Sequence, residues 1–551
     1  MKRRNFITAL GASGVLTALG STNAAASDRG RGHAGRGSVP MGIDNVIVLV
    51  GDGMGFDPIE ATRFVHGDLA MQSMTSIGKA QTEPLEGQVT DSAAAGTALA
   101  TGLKAHSGQL SVYGPAGADE DDVMALTTQL QAAAAIGKKT GLVTTTTMTH
   151  ATPGAWGANV PDRGLQPEIA DHYLDNEVDV MLGAGVDIWS EDQLERAEEM
   201  GYEILEEAAD LESAGDGKLL GLFDEGQMTY TLDRDETIPW LDTMTAEALE
   251  RLENDDGFFV MVEGGRIDHA NHQCDPWTSI AETKEFDDAV EVALEFAEGR
   301  DDTLVVVTSD HECGGFTCGN DYGNVLDLES LENGAQASLE TVAAKLQDQD
   351  DPDIRATVNE YLDFDGDLTD DEVAKIEEAH ADGAGPWGLD SVIGRVVSPY
   401  VGIDWGGKIP DSLITSHSGP SQLAVAAGPG VEEATGNWFH LADLSATVSA
   451  IMLFGGVDEI DDRERERWER QIRQRGPRNA RDAYLALEYL GPADDSVTEA
   501  LDRNDDGIVD LTDVLEIAGV DVDESAEGRH PGRGDGDRGR SERPSIVDAH
   551  R

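Results

Sequence analysis

Six short apolar runs alternate with longer stretches of helical periodicity along most of the chain. These runs predict strands at residues 46–50, 141–145, 178–182, 258–262, 304–308 and 423–427. Helices are predicted between most of them, for example at residues 122–135 and 279–298. Continuous apolar strands separated by helices indicate a sheet that is buried on both faces. We therefore expect an α/β fold with a doubly wound, mainly parallel sheet flanked by helices.

Short polar motifs come directly after four of the predicted strands. They are GDGMG from residue 51, THAT from residue 149, EGGRIDHANH from residue 263 and SDHECGG from residue 309. In doubly wound sheets the working residues lie just beyond the carboxyl ends of the strands. We therefore expect these four motifs to meet at one edge of the sheet.

Acidic residues and histidines are paired within these motifs. Asp268 and His272 are four residues apart, so on a helical turn both face the same side and can bind one divalent ion. Asp310 and His311 follow a strand directly, where the chain turns, and Asp52 lies among glycines that let the backbone bend sharply. Five of the thirteen histidines lie in strand-end segments of this kind: His150, His269, His272, His311 and His417. A buried structural histidine explains one such residue but not five beside carboxylates, so the pattern predicts metal binding.

Ser92 lies in the small-residue segment TDSAAAGTALATG. A helix that starts here offers backbone N–H groups to an anion. A serine hydroxyl is a weak nucleophile unless a base or a metal activates it, and no G-x-S-x-G elbow is present in this segment. Metal activation of Ser92 is the favoured interpretation, and the alternative is a capping serine on an alanine-rich helix.

In order, and over about residues 44–455, these segments resemble the alkaline phosphatase family. The resemblance implies hydrolysis of phosphate monoesters through a phosphoserine at Ser92, with two Zn²⁺ and one Mg²⁺ as cofactors. It also implies that Arg163 binds phosphate through two hydrogen bonds and that His269 belongs to the catalytic set. The implied ligands are Asp268, His272 and His417 for the first metal; Asp310, His311, Asp52 and the Ser92 oxygen for the second; and Asp52, His150, Thr152 and Glu263 for the third.

Two positions vary within that family. His150 stands where some members have aspartate, and His269 where some have lysine. Because imidazole replaces a hard oxygen ligand, we expect the third site to take Mn²⁺, Co²⁺ or Zn²⁺ as alternatives to Mg²⁺. Because His269 removes a fixed positive charge, we expect the phosphate product to be held less tightly.

The chain is strongly acidic: Asp and Glu number 107, Lys and Arg 39, and the formal net charge is −68. We expect no nucleic-acid partner, because the phosphates of nucleic acid would be repelled. In concentrated salt this self-repulsion is screened, so the composition predicts a halophilic enzyme, and the family resemblance is to an alkaline phosphatase of haloarchaeal type. The alternative, a disordered or calcium-buffering acidic protein, is disfavoured by the regular apolar strands.

The N-terminus resembles a signal peptide. Residues 1–26 contain Lys2, Arg3 and Arg4, then an apolar stretch, then a small-residue cleavage site. The paired arginines predict a twin-arginine signal and a secreted or cell-surface enzyme, with an ordinary secretory signal as the alternative. Residues 27–41 are predicted to be a linker, 42–456 the catalytic domain and 526–551 a disordered tail, and no membrane span is expected after the signal.

Within the catalytic domain, residues 319–406 are predicted to form an inserted cap subdomain. Asp363 and Gly366 suggest a calcium loop, but its twelfth position is Ala374, so a helix with Thr369 as N-cap is the preferred interpretation. The three cysteines leave a Cys313–Cys318 or Cys274–Cys318 disulfide open, although free thiols are favoured.

Residues 457–525 are predicted to form a dockerin-like module with one Ca²⁺ site. Five ligand positions of a calcium loop are filled, and Gly507 stands at the glycine position. The ligands are Asp502, Asn504, Asp506, the Ile508 carbonyl and Asp513. An upstream sister loop ending at Asp482 has Gln471, Arg473 and Arg475 at ligand positions and cannot bind calcium; an unrelated helix hairpin is the alternative. The module's partner is either a cohesin-like protein or the catalytic domain itself.

Two rival functions remain open at this point. One is a phosphodiesterase or sulfatase of the same metalloenzyme superfamily, and the other is a non-catalytic phosphate-binding protein of the cell surface. A homodimer is one expectation for the assembly.

Overall fold

The computed structural model describes residues 43–319, 326–383, 388–406, 415–429, 431, 437–454, 462–477, 483, 485–493 and 496–520. The predicted signal peptide, the whole predicted linker at 27–41 and the predicted tail at 526–551 lie outside these residues.

A ten-stranded sheet forms the centre of the described chain. Its strands, in chain order, are β1 Asn45–Gly51, β2 Thr75–Gln81, β3 Lys139–Thr147, β4 Val180–Ala184, β5 Tyr202–Leu205, β6 Lys218–Leu222, β7 Phe258–Gly264, β8 Thr303–Ser309, β9 Gln422–Ala427 and β10 Asn437–His440. Their spatial order is β10-β2-β9-β8-β1-β7-β3-β4-β6-β5. Within this sheet β9 runs antiparallel to both of its neighbours, and the other pairings are parallel.

Helices lie between the strands and beyond them. They are α1 Phe56–His66, α2 Ser92–Thr101, α3 Gln129–Ala135, α4 Ala151–Gly157, α5 Gln166–Asp175, α6 Glu191–Glu199, α7 Ala208–Ser213, α8 Leu241–Leu252, α9 Arg266–His272, α10 Pro276–Ala297, α11 Leu328–Asn333, α12 Leu339–Gln347, α13 Ile354–Tyr361, α14 Asp370–Ala381, α15 Leu389–Val397, α16 Leu441–Phe454, α17 Asp462–Arg475, α18 Thr498–Leu501 and α19 Leu511–Ala518. Among the described residues, no helix is long and apolar enough to cross a membrane.

Side chains of the central strands alternate between two apolar layers. On β1, Val46 and Val48 belong to one core cluster, whereas Ile47 and Leu49 belong to a second cluster on the opposite face. This alternation follows from the two-residue period of a strand. Both faces are therefore covered, which confirms the predicted α/β fold with a mainly parallel sheet.

The predicted helix at 122–135 starts too early. The observed helix α3 begins at Gln129, after Thr128 caps it through the backbone N–H of Gln131. The residues before it form a short 3₁₀ turn and a two-residue strand. The capping box of Thr128 and Gln131 outweighs the helical periodicity upstream of it.

Helices α11 to α15 form a separate layer on a third core cluster. An antiparallel pair of short strands, Phe316–Cys318 and Ile403–Trp405, joins the two ends of this layer. Thr369 caps helix α14 by accepting a hydrogen bond from the backbone N–H of Glu372, as predicted. We therefore propose that residues 319–406 form a cap subdomain.

The C-terminal helices α17 and α19 pack against one face of the sheet layer. Trp468, Ile472, Leu511 and Leu515 belong to the same apolar cluster as one face of the sheet. Helix α17 continues through Arg475, so the upstream segment at 471–475 is helical and does not form a calcium loop. The structure thus supplies an intramolecular contact surface for the C-terminal module.

Candidate active site

The polar motifs of four strand ends meet at one edge of the sheet. The parallel register places Gly51 of β1 opposite both Gly264 of β7 and Ser309 of β8. Asp52 and Asp310 each follow their strand directly, and helix α9 starts just after β7. An added Cβ at Gly53, whose φ is +66°, would come within 2.6 Å of Asp268 Oδ1, so only glycine allows this close approach.

Ser92 is the first residue of helix α2 and is only 2% exposed. Asp91 caps the helix by accepting a hydrogen bond of 3.1 Å from the backbone N–H of Ala94. Gly96 allows α2 to lie close against α4, because an added Cβ would come within 2.9 Å of the Ala155 methyl group. The alanine-rich sequence therefore serves close helix packing, and the helix start carries Ser92 to the sheet edge.

The first cluster contains Asp268, His272 and His417. Nε2 of His272 lies 3.1 Å from Nε2 of His417 and 3.3 Å from an oxygen of Asp268. Each ring uses its Nδ1 on a backbone carbonyl, His272 on Thr415 at 2.8 Å and His417 on Thr90 at 2.9 Å. When Nδ1 donates to a carbonyl, the lone pair is on Nε2, so both lone pairs and a carboxylate point at one spot. That arrangement suits a divalent metal.

The second cluster lies next to the first and reaches Ser92. Nε2 of His311 lies 3.1 Å from Asp310 Oδ2 and 3.5 Å from Asp52 Oδ1. The Ser92 Oγ lies 3.2 Å from the same nitrogen and 3.4 Å from Asp52 Oδ1. The His311 and His417 rings stack with their centroids 3.7 Å apart, which joins the two clusters.

The third cluster contains Asp52, His150 and Glu263, whose ligand atoms lie within 4.8 Å of one another. His150 precedes helix α4, and Thr152 lies buried in the first turn of that helix. Oε2 of Glu263 accepts hydrogen bonds from Thr144 at 2.5 Å and from Thr146 at 3.2 Å. Its Oε1 is buried without a hydrogen-bond partner in the described chain, so it is available to a metal.

Four carboxyl groups are buried together here, and none of their residues is more than 4% exposed: Asp52, Glu263, Asp268 and Asp310. Burial, and then the charges of Asp310, Asp268 and Glu263, raise the pKa of Asp52 well above its usual range. Burial raises the pKa of Asp310 to about 8. Such a concentration of buried acid is costly without compensating charge. The donor set therefore fits divalent ions, and each of the three groups offers the oxygen and nitrogen ligands that they take.

Two arginines, Arg163 and Arg266, contact histidines of the site. Arg163, with 30% of its side chain exposed, lies 3.3 Å from Asp91 and 3.1 Å from His150 Nε2. Burial, and then the Arg163 charge, lower the pKa of His150 to about 3. The buried Arg266 donates from Nη1 to His269 Nδ1 at 2.8 Å. A fixed positive charge therefore remains behind His269, although the residue itself is not lysine.

Sequence reasoning missed several contributors to this site. Arg266 lies inside the EGGRIDHANH motif and could have been noticed there as a cation beside two metal ligands. Cys313 lies within 4.8 Å of the first cluster, although its sequence signal was only its position after Asp310 and His311. All three cysteines are free thiols in the structure, as favoured. The backbone carbonyls that orient His272 and His417 could not be inferred from local sequence.

The fold and the three clusters define a metal-binding enzyme site, and comparison with known proteins specifies the class. The alkaline phosphatase family model matches residues 43–383. Alkaline phosphatase 4 of Bacillus subtilis is 32% identical over 414 residues, which cover 72% of this chain and 86% of that protein. The chain belongs to the alkaline phosphatase family and is a phosphatase.

Solved structures of alkaline phosphatases are also similar to this chain. The cold-active alkaline phosphatase of a psychrophilic Shewanella species superposes with a TM-score of 0.65 at 30% identity, covering 74% of this chain and 99% of that one. A mutant alkaline phosphatase of the Antarctic bacterium TAB5, described with Mg bound in its M3 site, has a TM-score of 0.55 at 25% identity and covers 75% of this chain and 99% of that one.

Proposed function

We propose that this phosphatase hydrolyses phosphate monoesters in a metal-dependent reaction that passes through a phosphoserine at Ser92. The observation that carries the proposal is the position of the Ser92 Oγ, 3.2 Å from His311 and 3.4 Å from Asp52 at the centre of the acidic clusters. No buried histidine–carboxylate relay of the serine-hydrolase kind is needed in this proposal, because bound metals would supply the charge that activates the hydroxyl.

Two Zn²⁺ would occupy the first and second clusters, and Mg²⁺ or a substitute the third. When bound, these ions supply Lewis-acid catalysis and lower the cost of the negative charge that develops during the reaction. The proposed ligands are those of the three clusters: Asp268, His272 and His417; Asp52, Ser92, Asp310 and His311; and Asp52, His150, Thr152 and Glu263.

The chain's own residues then carry out the transfer. Ser92 loses its proton to solvent, and its Oγ forms a bond to phosphorus while the ester oxygen leaves with its electron pair and takes up a proton from solvent to give the alcohol. The start of helix α2 places positive dipole charge beside the anionic phosphate. Arg163 would donate two hydrogen bonds to the phosphoryl oxygens. Water then attacks the phosphoserine, which releases phosphate and restores the Ser92 hydroxyl.

Substrate assays on matched variants test this proposal. p-Nitrophenyl phosphate should be hydrolysed much faster than its diester or sulfate analogue. Ser92→Ala should lower kcat by more than ~10³-fold, as expected for loss of a nucleophile. Ser213→Ala, which removes an exposed hydroxyl outside the clusters, should leave kcat unchanged. Faster diester or sulfate hydrolysis would favour the rival function, and full activity of Ser92→Ala would exclude the phosphoserine.

We also propose that the enzyme is exported and scavenges phosphate in concentrated salt. The proposal rests on the N-terminal arginine pair and on the net charge of −68. Because the Debye length shortens to ~3 Å at about 1 M salt, the melting temperature should rise as KCl increases towards molar concentrations. A melting temperature that falls over this range would contradict the halophilic interpretation.

We further propose that the loop at residues 502–513 binds Ca²⁺ and that its partner is the catalytic domain. Gly507 at the sixth position has a φ of +96°, as the tight turn of a calcium loop requires. Asp513 at the twelfth position is buried, and burial followed by the charge of Asp510 raises its pKa to about 8. A bound cation would compensate this buried acid.

Contacts made by this loop and by the segment before it support an intramolecular partner. Asp510 accepts a 3.0 Å hydrogen bond from the backbone N–H of Thr127, just before helix α3. An added Cβ at Gly102, which ends helix α2, would come within 2.9 Å of a Leu490 methyl group, so the module also packs against the helix that starts at Ser92. Calcium bound at the loop would hold this surface in place, and a cohesin-like protein is not required.

A further inference from the structure

The thiol of Cys313 lies beside the first metal cluster. Its Sγ, a carboxylate oxygen of Asp268 and ring nitrogens of His272 and His417 all lie within 4.8 Å of one another. Cys313 is fully buried. Neither of the other two cysteines belongs to a potential metal-binding group in the described chain. Because its sulfur lies among potential metal-ligand atoms, Cys313 differs from a cysteine that only packs in the core.

Short strands hold Cys313 in this position. The strand Glu312–Cys313 pairs with His417–Ser418, and Cys313 lies directly opposite His417. Glu312 accepts a hydrogen bond from the Ser418 hydroxyl, and the next residue, Gly314, donates from its backbone N–H to Ser416 at 3.1 Å. The thiol and the His417 ring are consequently fixed relative to each other by backbone pairing.

A second observation at the same place concerns the carboxylate of Asp268. Oδ1 of Asp268 is buried and accepts no N–H or O–H hydrogen bond from the described residues, although its carboxylate lies among two imidazoles. The distances between the nitrogen and oxygen atoms of this cluster run from 3.1 to 3.5 Å. Tetrahedral ligands at roughly 2.0–2.3 Å from a zinc ion are separated by distances of this size.

We propose that Cys313 is a fourth protein ligand of the first metal, so that this site contains a thiolate together with Asp268, His272 and His417. As the sulfur–metal bond forms, the thiol proton passes to solvent. A zinc ion with four protein ligands can expand to five-coordination, which leaves a position for a substrate oxygen. The thiolate selects soft divalent ions such as Zn²⁺, Co²⁺ and Cd²⁺ over Mg²⁺ and Mn²⁺ at this site. The inference rests on the first metal site of the proposed function.

Cobalt spectroscopy tests the sulfur ligand directly. The metal-free full-length enzyme is loaded with Co²⁺, and the near-ultraviolet spectrum is recorded for a sulfur-to-cobalt charge-transfer band. The wild-type enzyme and Cys318→Ser should show the band, and Cys313→Ser should lose it. Cys318→Ser is the matched control because it removes a thiol outside the cluster. A wild-type spectrum without the band, or a band that persists in Cys313→Ser, overturns the proposal.

A measurement on the unmodified chain covers the case in which Cys313→Ser does not fold. X-ray absorption at the zinc edge of the wild-type enzyme should show a sulfur neighbour at about 2.3 Å. Only nitrogen and oxygen neighbours would overturn the sulfur ligand. If that result came from an enzyme that still hydrolyses phosphate monoesters with zinc, the proposed function would stand. Failure to bind any metal would overturn both.

Discussion

The Oγ of Ser92 lies 3.4 Å from Oδ1 of Asp52, and both groups are almost completely buried. This carboxylate offers the Ser92 hydroxyl a hydrogen-bond acceptor, but its negative charge would not stabilise an ionised serine oxygen. His311 supplies a nitrogen 3.2 Å away, yet burial lowers the pKa of that imidazole well below its usual range. A neutral imidazole that also belongs to a potential metal-binding group supports the proposed metal activation of Ser92.

The metal-free protein should become less stable as pH rises. Burial raises the folded-state pKa of Asp310 to about 8, from roughly 3.9 in an unfolded chain. This carboxyl therefore stabilises the fold when protonated, and its contribution is lost between about pH 4 and pH 8, at up to about 1.4 kcal/mol per pH unit. The melting temperature of EDTA-treated enzyme should fall over this range.

The matched control for this pH effect is Asp310→Asn, which removes the titrating group and keeps the side-chain shape. Its melting temperature without metal should depend less steeply on pH than that of the wild type. With Zn²⁺ present the wild-type trend should disappear, because ionised ligands are then required. Equal pH dependence in the two metal-free proteins would show that Asp310 does not titrate as described.

Replacing His150 should change the metal preference of the third site. His150 lies within 4.8 Å of Asp52 and Glu263, and an aspartate there would supply a hard oxygen ligand. His150→Asp should bind Mg²⁺ more tightly by roughly tenfold, the scale on which changes around a metal ligand act. Equilibrium dialysis with Mg²⁺ and Mn²⁺ measures the change, and His172→Asp on helix α5 is the control. Tight Mg²⁺ in the wild type that Mn²⁺ cannot displace would contradict this prediction.

Lysine at position 269 should strengthen phosphate binding. His269 is buried, and its pKa is lowered well below the usual range, first by burial and then by Arg266, so it is neutral at working pH. His269→Lys should lower the phosphate inhibition constant by about tenfold, or ~1.4 kcal/mol. His269→Gln keeps the position neutral and should change that constant little. If His269→Lys left it unchanged, the charge at this position would not control product release.

Several features of this molecule could be predicted from sequence because they are local. Asp268 with His272, and Asp310 with His311, each lie in one short segment behind an apolar strand. Four strands escaped prediction: β5 and its neighbour β6 at one end of the sheet, and β10 and β2 at the other. The neighbourhood of Cys313 depends on pairing with a strand about a hundred residues away, at His417. Local pattern carries no information about such a contact.

Calcium should stabilise the full-length enzyme through the C-terminal loop. When free Ca²⁺ is 100 times its dissociation constant, a single site adds about 2.7 kcal/mol to the free energy of unfolding. Asp502→Ala should abolish the rise in melting temperature on adding Ca²⁺. Asp365→Ala is the matched control, since it lies in the segment whose twelfth position, Ala374, has no carboxylate. A Ca²⁺ effect that survives Asp502→Ala would place the ion elsewhere.

The phosphoserine itself provides the most direct test of the central claim. The enzyme is mixed with a phosphate monoester, quenched in acid during turnover and digested, and the peptides are examined by mass spectrometry. The account predicts a phosphoryl group on Ser92 in the metal-loaded wild type, and none after EDTA treatment or in Ser92→Ala. Rapid hydrolysis with an unmodified Ser92, or phosphorylation of Ser92 without metal, would contradict it.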